Sequence, residues 1–353
     1  METLTTAKNQ PAGAERLGYA EALMQIIADF SSRSQEIVQS RYGISGNAPL
    51  TLEEIGKKYS ITRERVRQVI REALKKMKEK QGDSMFASVR DDVVLAIKEH
   101  GGIMEEKQLL SVMGKNDVKE AAAVRFFLEC MDDVVALETK GELLFSYALP
   151  DFNLEKWRAT KNNTLAVLKN EKKPLSSEEL FSLISASGNA TELSKDTLAY
   201  YMEVSEEIKK NAFDKWGVAK WKEISPKGTR EKAYLILKEA SNPMHFRDIA
   251  KKIDEFQLNR KKTHPQTVHN ELIKDKNFVL VGRGIYALSE WGYKKGTVKD
   301  VIEEIIEASK QPLTREEILN KVLEIRQVKK STIVINLNNY FSKGKNGTYA
   351  LKK

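Results

Sequence analysis

Arginine, glutamate and glutamine side chains gather in one short stretch of this chain, and these side chains pair with nucleic-acid bases. They are Arg63, Glu64, Arg67 and Gln68. In the major groove of duplex DNA, arginine bonds guanine through two hydrogen bonds, glutamate accepts from cytosine, and glutamine pairs with adenine. Residues three and four apart lie on the same face of a helix. The stretch therefore predicts a helix whose outer face reads base edges.

Two short helices joined by a tight turn would present those side chains. Thr51 and Glu54 match a capping box at the start of the first helix, and Thr62 matches the cap of the second. The apolar residues that recur at helical spacing are Leu52, Ile55 and Tyr59, followed by Val66, Val69, Ala73, Leu74 and Met77. The pattern predicts a helix-turn-helix whose recognition helix runs from Thr62 to about Met77.

These segments resemble region 4 of bacterial sigma-70-type factors, the domain that reads the promoter −35 element and docks on RNA polymerase. The similarity is carried by Arg41–Ile44, Thr51–Gly56, Thr62–Gln68 and Ala73–Lys76. By this resemblance, the residues that face the bases are Arg63, Glu64, Arg67 and Gln68. Those that lie at the DNA backbone are Arg41, Leu52 and Glu53.

The recognition helix departs from the sigma pattern at one place. Ile70 and Arg71 stand where the family usually has glutamate and alanine, which adds a positive charge. We expect this change to alter contacts with phosphates and to leave the base-reading tip as it is. Arg65 and Arg71 are therefore predicted to steady the DNA backbone together with Arg41.

The overall charge favours a polyanionic partner. The chain of 353 residues has a formal net charge of +9 and a pI near 9.2. The excess is local, because residues 62–80 hold eight Lys or Arg against three Asp or Glu, and residues 321–353 hold eight against one. Clustered cations of this kind are typical of phosphate binding. The length predicts several small domains, and a hydrophobic content of 41% supports globular cores.

Other global features narrow the class of protein. Cys130 is the single cysteine, which excludes an intramolecular disulfide and a cysteine-rich zinc site. No apolar run approaches about eighteen residues, and no signal-peptide pattern is present. We therefore expect a cytoplasmic protein that is associated with the bacterial nucleoid and not with a membrane. Residues 1–15 are predicted to be a disordered leader.

Beyond the helix-turn-helix, the chain repeats itself. Strand-like segments recur at intervals of 71, 68 and 63 residues, marked by Ala148, Ala219, Ala287 and Ala350. This interval is roughly the size of a winged helix, in which three helices are closed by a β-hairpin. The predicted domains are a helix-turn-helix domain at 16–82 and winged-helix units at 85–150, 151–226, 227–293 and 294–353.

Hairpin signals mark the wings of the last two units. Gly282–Gly284 is a turn with Arg283 at its tip, and Asn346–Gly347 is a strong turn signal beside Lys343 and Lys345. A cation at such a tip can reach a phosphate or a minor groove, although a hairpin tip is also where solvated charge belongs. The candidate wing contacts are Arg283, Lys343 and Lys345.

The third helix of the last unit has a competing interpretation. Ser331–Phe341 is rich in β-branched side chains, which also suit a strand. The register of the repeat favours the helix.

The third winged unit resembles the HARE-HTH family, a winged-helix domain also found in the delta subunit of bacterial RNA polymerase. The residues that carry the similarity are Pro243–Phe246, Pro265–Val268, Phe278–Val279, Val281–Leu288 and Trp291–Gly292. The resemblance implies a role in interactions among transcription proteins. It does not imply that the third helix of this unit reads bases.

Catalytic signatures are missing from the sequence. It has no P-loop, no Gly-x-Ser-x-Gly elbow, no dinucleotide fingerprint and no His/Cys spacing typical of zinc. His264 and His269 are five residues apart, one more than the spacing that sets two metal ligands on one helical face. We therefore expect a protein that is not an enzyme and that uses neither a cofactor nor a metal.

Together these features predict a mainly α fold with small β-wings, in which a helix-turn-helix module precedes an array of winged-helix units. The predicted function is a transcription protein that binds promoter-like double-stranded DNA and RNA polymerase core. Too few residues precede position 20 for the sigma region that melts DNA, so we do not expect a complete sigma factor.

Alternatives stay open on the sequence. The chain could be a regulator that competes with or assists a sigma factor, a polymerase-bound scaffold resembling delta with weak DNA affinity, or a specificity module for a separate nuclease. The sequence leaves the oligomeric state open.

Overall fold

The structure is a computed structural model that describes residues 17–186, 193–293, 296–309, 311–325, 328–344 and 346–352. The predicted leader at 1–15 and the candidate wing residue Lys345 lie outside the described residues. The fold is 57% helical, with small antiparallel sheets of two or three strands. This confirms the predicted fold class.

Four helices form the first part of the chain. They are α1 (Tyr19–Ile26), α2 (Ser32–Tyr42), α3 (Leu52–Tyr59) and α4 (Arg63–Glu79). The side chain of Ser31 caps α2 by accepting from the Ser34 amide at 3.2 Å, and α2 ends at Gly43, whose φ of +80° suits glycine. Helices α3 and α4 are the predicted helix-turn-helix.

Winged repeats 1 and 2 follow. Repeat 1 comprises α5 (Ser84–Glu99), β1 (Ile103–Glu105), α6 (Glu106–Gly114), α7 (Val118–Leu128), β2 (Val135–Thr139) and β3 (Leu143–Ala148). Repeat 2 comprises α8 (Leu154–Glu171), α9 (Ser177–Ala186), α10 (Lys195–Glu203), β4 (Ile208–Lys210) and β5 (Trp216–Val218).

Winged repeats 3 and 4 have the same element order as repeat 1. Repeat 3 comprises α11 (Thr229–Ala240), β6 (Met244–His245), α12 (Phe246–Glu255), α13 (Pro265–Lys274), β7 (Phe278–Gly282) and β8 (Ile285–Leu288). Repeat 4 comprises α14 (Val298–Ser309), β9 (Leu313–Thr314), α15 (Arg315–Ile325), α16 (Lys330–Tyr340), β10 (Phe341–Lys343) and β11 (Thr348–Leu351). In repeats 1, 3 and 4 the last strand lies in the centre of a three-stranded sheet.

A buried aromatic residue occupies the same place in every repeat. It pairs with a residue of the short extended segment that precedes the second helix, in the pairs Tyr147–Met104, Trp216–Leu175, Tyr286–Met244 and Tyr349–Leu313. All four aromatic side chains are buried. In repeat 2 the structural counterpart is therefore Trp216, whereas the sequence marker Ala219 lies just after β5.

Residues 330–340 form a helix despite their β-branched side chains. Ile333 and Leu337, four residues apart, are both fully buried in the core of repeat 4. Helical burial of this pair outweighs the local preference for a strand, because tertiary packing routinely overrides intrinsic propensity. The predicted turn follows, with Gly347 at φ +74°.

The chain separates into two compact units. The first contains the described residues up to Asn170 together with Glu178–Ile208, and the second contains Glu171–Ser177 together with the described residues from Lys209 onward. The five domains expected from the sequence remain a prediction.

Within the first unit, one hydrophobic core continues from the helix-turn-helix segment into repeat 1. Phe126 and Phe127 of α7 are fully buried, and the ring of Phe126 meets that of Tyr42 edge-on at 4.9 Å. The Tyr42 hydroxyl donates to Glu129 at 2.6 Å. Met77 near the end of α4 is fully buried in the same cluster. Helix α7 is thus a packing partner of the helix-turn-helix segment.

The hairpin of repeat 1 is bound along its turn to repeat 2, within the first compact unit. The Leu144 amide donates to the Val204 carbonyl at 2.9 Å, and the Glu206 amide donates to the Glu142 carbonyl at 3.0 Å. The first wing is therefore held by main-chain hydrogen bonds on both sides of its turn.

A buried ion network reinforces this contact. Lys161 of α8 is only 3% exposed, and its Nζ lies 3.0 Å from Glu142 and 2.5 Å from Glu207. Arg158 donates to Glu142 at 3.0 Å, and this bond is the largest cause that lowers the pKa of Glu142. A lysine buried this deeply is costly unless it is paired, so both carboxylates are needed to hold it.

Candidate nucleic-acid interface

The turn between α3 and α4 depends on a close backbone approach. The Ile61 amide donates to the Gly56 carbonyl at 2.9 Å. A Cβ at Gly56 would lie 2.7 Å from the Ile61 carbonyl oxygen, so only glycine fits without a shift. Ser60 ends α3 in the left-handed region, with φ +53°. These features fix the angle at which α4 leaves the turn.

Both helices begin with the caps predicted from the sequence. The Thr51 amide donates to the Glu54 carboxylate at 2.7 Å, and the Glu54 amide donates to the Thr51 hydroxyl at 3.3 Å, which completes the capping box. The Thr62 hydroxyl accepts from the Arg65 amide at 3.1 Å. Each cap satisfies amides that a helix start leaves without partners.

Helix α4 has one buried face and one exposed face. Val66 is fully buried with Ile55 of α3 and Ile37 of α2. The exposed residues of α4 include all those predicted to read bases or to contact the backbone, namely Arg63, Glu64, Arg65, Arg67, Gln68 and Arg71. Local packing therefore presents the predicted base-reading tip to solvent.

The base-reading side chains bind one another in the free chain. Arg67 donates through Nε to Glu64 at 2.7 Å and through its Nη2 to the other carboxylate oxygen, and Arg65 donates to Gln68 at 3.1 Å. The bond from Arg67 is the largest cause that lowers the pKa of Glu64. The i, i+3 spacing of each pair could have predicted this arrangement, which the sequence analysis missed.

Residues predicted at the DNA backbone flank this face. Arg41, exposed at the end of α2, donates to the Leu50 carbonyl at 3.2 Å. Glu53 forms an ion pair with Lys57 at 2.9 Å. Leu52 is half-buried at the first position of α3. Leu52 and Glu53 thus lie at a helix N-terminus, where amides without intrahelical partners favour an anion.

The departure at Ile70 has a packing explanation. Ile70 is 8% exposed and belongs to the cluster of Ile37, Ile55 and Val66. It therefore adds apolar contact inside the helix-turn-helix, while Arg71 alone carries the extra charge to the surface.

A groove beside α4 adds cations that the sequence analysis did not single out. It has a volume of about 280 Å³ and is lined by, among others, Phe30, Arg33, Arg65 and Lys76. The ammonium of Lys76 lies 5.6 Å from the centre of the Phe30 ring. Arg33 donates to the Tyr59 carbonyl at 2.7 Å. Arg65 thus faces this groove and lies within bonding distance of Gln68.

The wing candidates lie in hairpins of the second compact unit. Arg283 is exposed in the β7–β8 turn, next to Gly284 at φ +73°. Lys343 is exposed at the end of β10. Neither residue adjoins α4 in the chain, and each wing belongs to its own repeat.

Over the described ranges, no group of three or more His, Cys, Asp and Glu is arranged to hold a metal ion. Over the same ranges, no helix has the length and apolarity to cross a membrane. Cys130 is buried, and burial raises the pKa of its thiol to about 12.

Two family models match parts of this chain. Residues 26–79 match the model described as Sigma-70, region 4. Residues 229–291 match the HARE-HTH model, described as an HTH domain of ASXL and restriction endonuclease proteins. Both matches confirm the resemblances found in the sequence. The first covers α2, α3 and α4, and the second covers repeat 3 from α11 to the segment after β8.

The two matched segments indicate a DNA-binding helix-turn-helix protein linked to transcription. Both are helix-turn-helix types and neither is an enzymatic family. The region 4-like segment carries the exposed arginine face of α4, and the HARE-HTH-like repeat carries Arg283 at its wing.

Proposed function

We propose that this chain is a transcription protein that reads a −35-like promoter element with α4 and contacts RNA polymerase core. The observation that carries the proposal is the exposed set Arg63, Glu64, Arg67 and Gln68 at the start of α4. These types suit guanine, cytosine and adenine edges in a major groove. The match of residues 26–79 to sigma-70 region 4 supports the same assignment.

Contacts with the DNA backbone would come from the elements around α4. The start of α3, at Leu52 and Glu53, offers amides to a phosphate, because the Glu53 carboxylate is paired with Lys57. Arg41 and Arg71 would supply charge on the two sides of the recognition helix. Arg65 would reach a phosphate after releasing Gln68, which then becomes available to a base.

The polymerase contact would use only part of the region 4-like surface. Helices α1 and α2 pack on α7, and Tyr42 and Met77 are buried in that shared core. A partner helix would have to displace α7 to reach this apolar face. We therefore place the polymerase contact on exposed polar surface.

A second candidate is a polymerase-associated scaffold similar to delta, with weak and non-specific DNA binding. The observation that favours it is the match of residues 229–291 to the HARE-HTH model. In this alternative the Glu64–Arg67 pair stays closed and α4 meets DNA only through phosphates.

Binding-site selection from random duplex DNA, with and without RNA polymerase core, tests the proposal. We expect the full chain to enrich a −35-like sequence. Arg67→Ala should reduce affinity for it by roughly 5- to 150-fold and relax the preference at one base pair. The control Lys107→Ala removes the same charge from an exposed site on α6 and should keep the consensus.

Two results would overturn the proposal. One is that no sequence is enriched in either condition. The other is that Arg67→Ala leaves the enriched sequence unchanged while the chain still captures polymerase, which supports the scaffold.

A further inference from the structure

The third helices of the four winged repeats differ in charge. Helix α7 is largely buried, α10 carries Asp196 and Glu203, and α13 carries Glu271. Helix α16 contains no acidic residue, and the sequence has none after Glu324. Among these helices, α16 is therefore the one best suited to lie against a polyanion.

The outer face of α16 carries a stripe at helical spacing. Its residues are Thr332, Ile335, Asn336 and Asn339, of which Asn336 is half-buried and the others are exposed. The buried residues Ile333 and Leu337 anchor the helix in the core of repeat 4. Ile335 is 57% exposed, an unusual position for a large apolar side chain on a helix that otherwise has a normal core.

The chemistry of this stripe suits A·T base pairs. An asparagine amide can pair with adenine through two hydrogen bonds, and apolar or threonine methyl groups contact the thymine methyl. The Asn336 amide donates to the Thr332 carbonyl at 2.8 Å, which leaves its oxygen and a second N–H for a base. For Asn339, the Lys352 ammonium donates to the main-chain carbonyl at 2.8 Å, not to the side-chain amide.

Cations lie at both ends of the stripe. Lys329 and Lys330 are exposed at the start of α16, where the helix dipole also favours an anion. Lys343 is exposed in β10, beyond the other end of the helix. Among the described ion pairs, none involves these three lysines, so their charge is available to phosphates.

We propose that α16 is a second DNA-reading helix, which recognises an A·T-containing step in a major groove while Lys329, Lys330 and Lys343 bind the flanking phosphates. This inference rests on the proposed function of the chain as a DNA-binding protein, but it uses a different helix and a different compact unit. A promoter-like site would then have two parts, one read by α4 and one read by α16.

The test uses the full chain carrying Arg67→Ala, so that reading by α4 is weakened. Binding-site selection on random duplex DNA should still enrich an A·T element. Adding Asn336→Ala and Asn339→Ala should abolish that enrichment and reduce affinity for the element by roughly 5- to 150-fold per lost base contact. Because alanine is a better helix former than asparagine, neither change should unfold α16.

The matched control is Asn338→Ala on the same helix. Asn338 lies outside the stripe and accepts from the Tyr349 hydroxyl at 3.4 Å. This variant should keep the A·T element. Lys329→Ala with Lys330→Ala should instead lower the slope of log affinity against log salt by about two and leave the preferred sequence unchanged.

The contact of Ile335 has its own readout. Replacing thymine by uracil in the selected duplex removes only the methyl group. This replacement should weaken binding of the chain with native Ile335 and have no further effect on Ile335→Ala.

The outcomes separate the two proposals. If Arg67→Ala has no effect but the asparagine variants abolish the A·T element, α16 reads DNA and the proposed role of α4 is wrong. If the asparagine variants and the Asn338→Ala control bind DNA identically, the inference about α16 is overturned and its exposed face is left to a protein partner.

Discussion

The side chains proposed to read bases are already ordered by one another in the free chain. Glu64 holds Arg67 through both carboxylate oxygens, and Gln68 accepts from Arg65. These pairs lie in solvent, where an ion pair contributes little stability, so a base can displace them. The pairing keeps the arginine extended along the helix, which reduces the conformational entropy lost on binding.

Replacing Glu64 by glutamine should release Arg67 and remove one negative charge from the DNA-facing surface. We expect tighter non-specific binding together with a weaker preference at the base pair that Glu64 contacts. Fluorescence anisotropy on the selected duplex and on single-base variants measures both effects. Glu72→Gln removes the same charge from α4 and should tighten non-specific binding without changing base preference. An unchanged base preference in Glu64→Gln would contradict a reading role.

Lys343 should act only through charge. We expect Lys343→Ala to lower the slope of log affinity against log salt by about one and to leave the selected sequence as it is. Titrations over a range of salt concentrations measure the slope. A salt dependence equal to that of the unmodified chain would show that Lys343 lies away from the DNA.

At the scale of elements, the orientation of α4 depends on the glycine of its turn. Gly56→Ala would set a Cβ 2.7 Å from the Ile61 carbonyl oxygen, which a rigid backbone cannot absorb. We expect a destabilisation of about 1–3 kcal/mol and loss of specific DNA binding. Thermal unfolding and anisotropy give the two quantities.

The control for the turn is Gly82→Ala, because a Cβ there meets nothing within 4 Å. It should be neutral or slightly stabilising, since alanine restricts the unfolded chain. Equal unfolding temperatures for the two alanine variants would show that the turn tolerates a side chain.

Single helices could be predicted from the sequence because their signals are local. The capping box of Thr51 and Glu54, the proline at the start of α13 and the repeat register of α16 each fixed an element near its observed position. Trp216 was harder, because its place is set by pairing with Leu175, forty-one positions earlier in the chain. A pairing over that distance leaves no local signal.

Contacts between elements could not be predicted for the same reason. The burial of Tyr42 against Phe126 joins residues far apart in sequence, and the apolar pattern of each helix is satisfied by any apolar neighbour. The base-reading face is predictable because residue types and helical spacing alone place it. Whether it reads bases remains a prediction that depends on DNA.

At the scale of the molecule, the ion network around Lys161 joins the first wing to repeat 2. Glu142→Gln removes the carboxylate that both Lys161 and Arg158 contact, and we expect it to destabilise the first compact unit by about 1–3 kcal/mol. Glu138→Gln, on the exposed part of β2, should have no measurable effect. Chemical denaturation measures both.

The same network predicts a pH dependence. The pKa of Glu142 is lowered in the folded chain, chiefly by the bond from Arg158. Its contribution is therefore complete above the ordinary pKa of a glutamate and is lost as the pH falls through the lower folded value. The difference in unfolding free energy between the unmodified chain and Glu142→Gln should shrink in acid. A difference that is constant down to strongly acidic pH would contradict this role.

The central claim is that Arg67 of α4 contacts a base, and a double-mutant cycle tests it most directly. Affinities are measured for the unmodified chain and Arg67→Ala, each on the selected duplex and on a duplex with the contacted guanine pair replaced. We predict that the two changes are strongly non-additive, by roughly 5- to 150-fold. Full additivity at every base pair of the selected site would contradict base reading by α4.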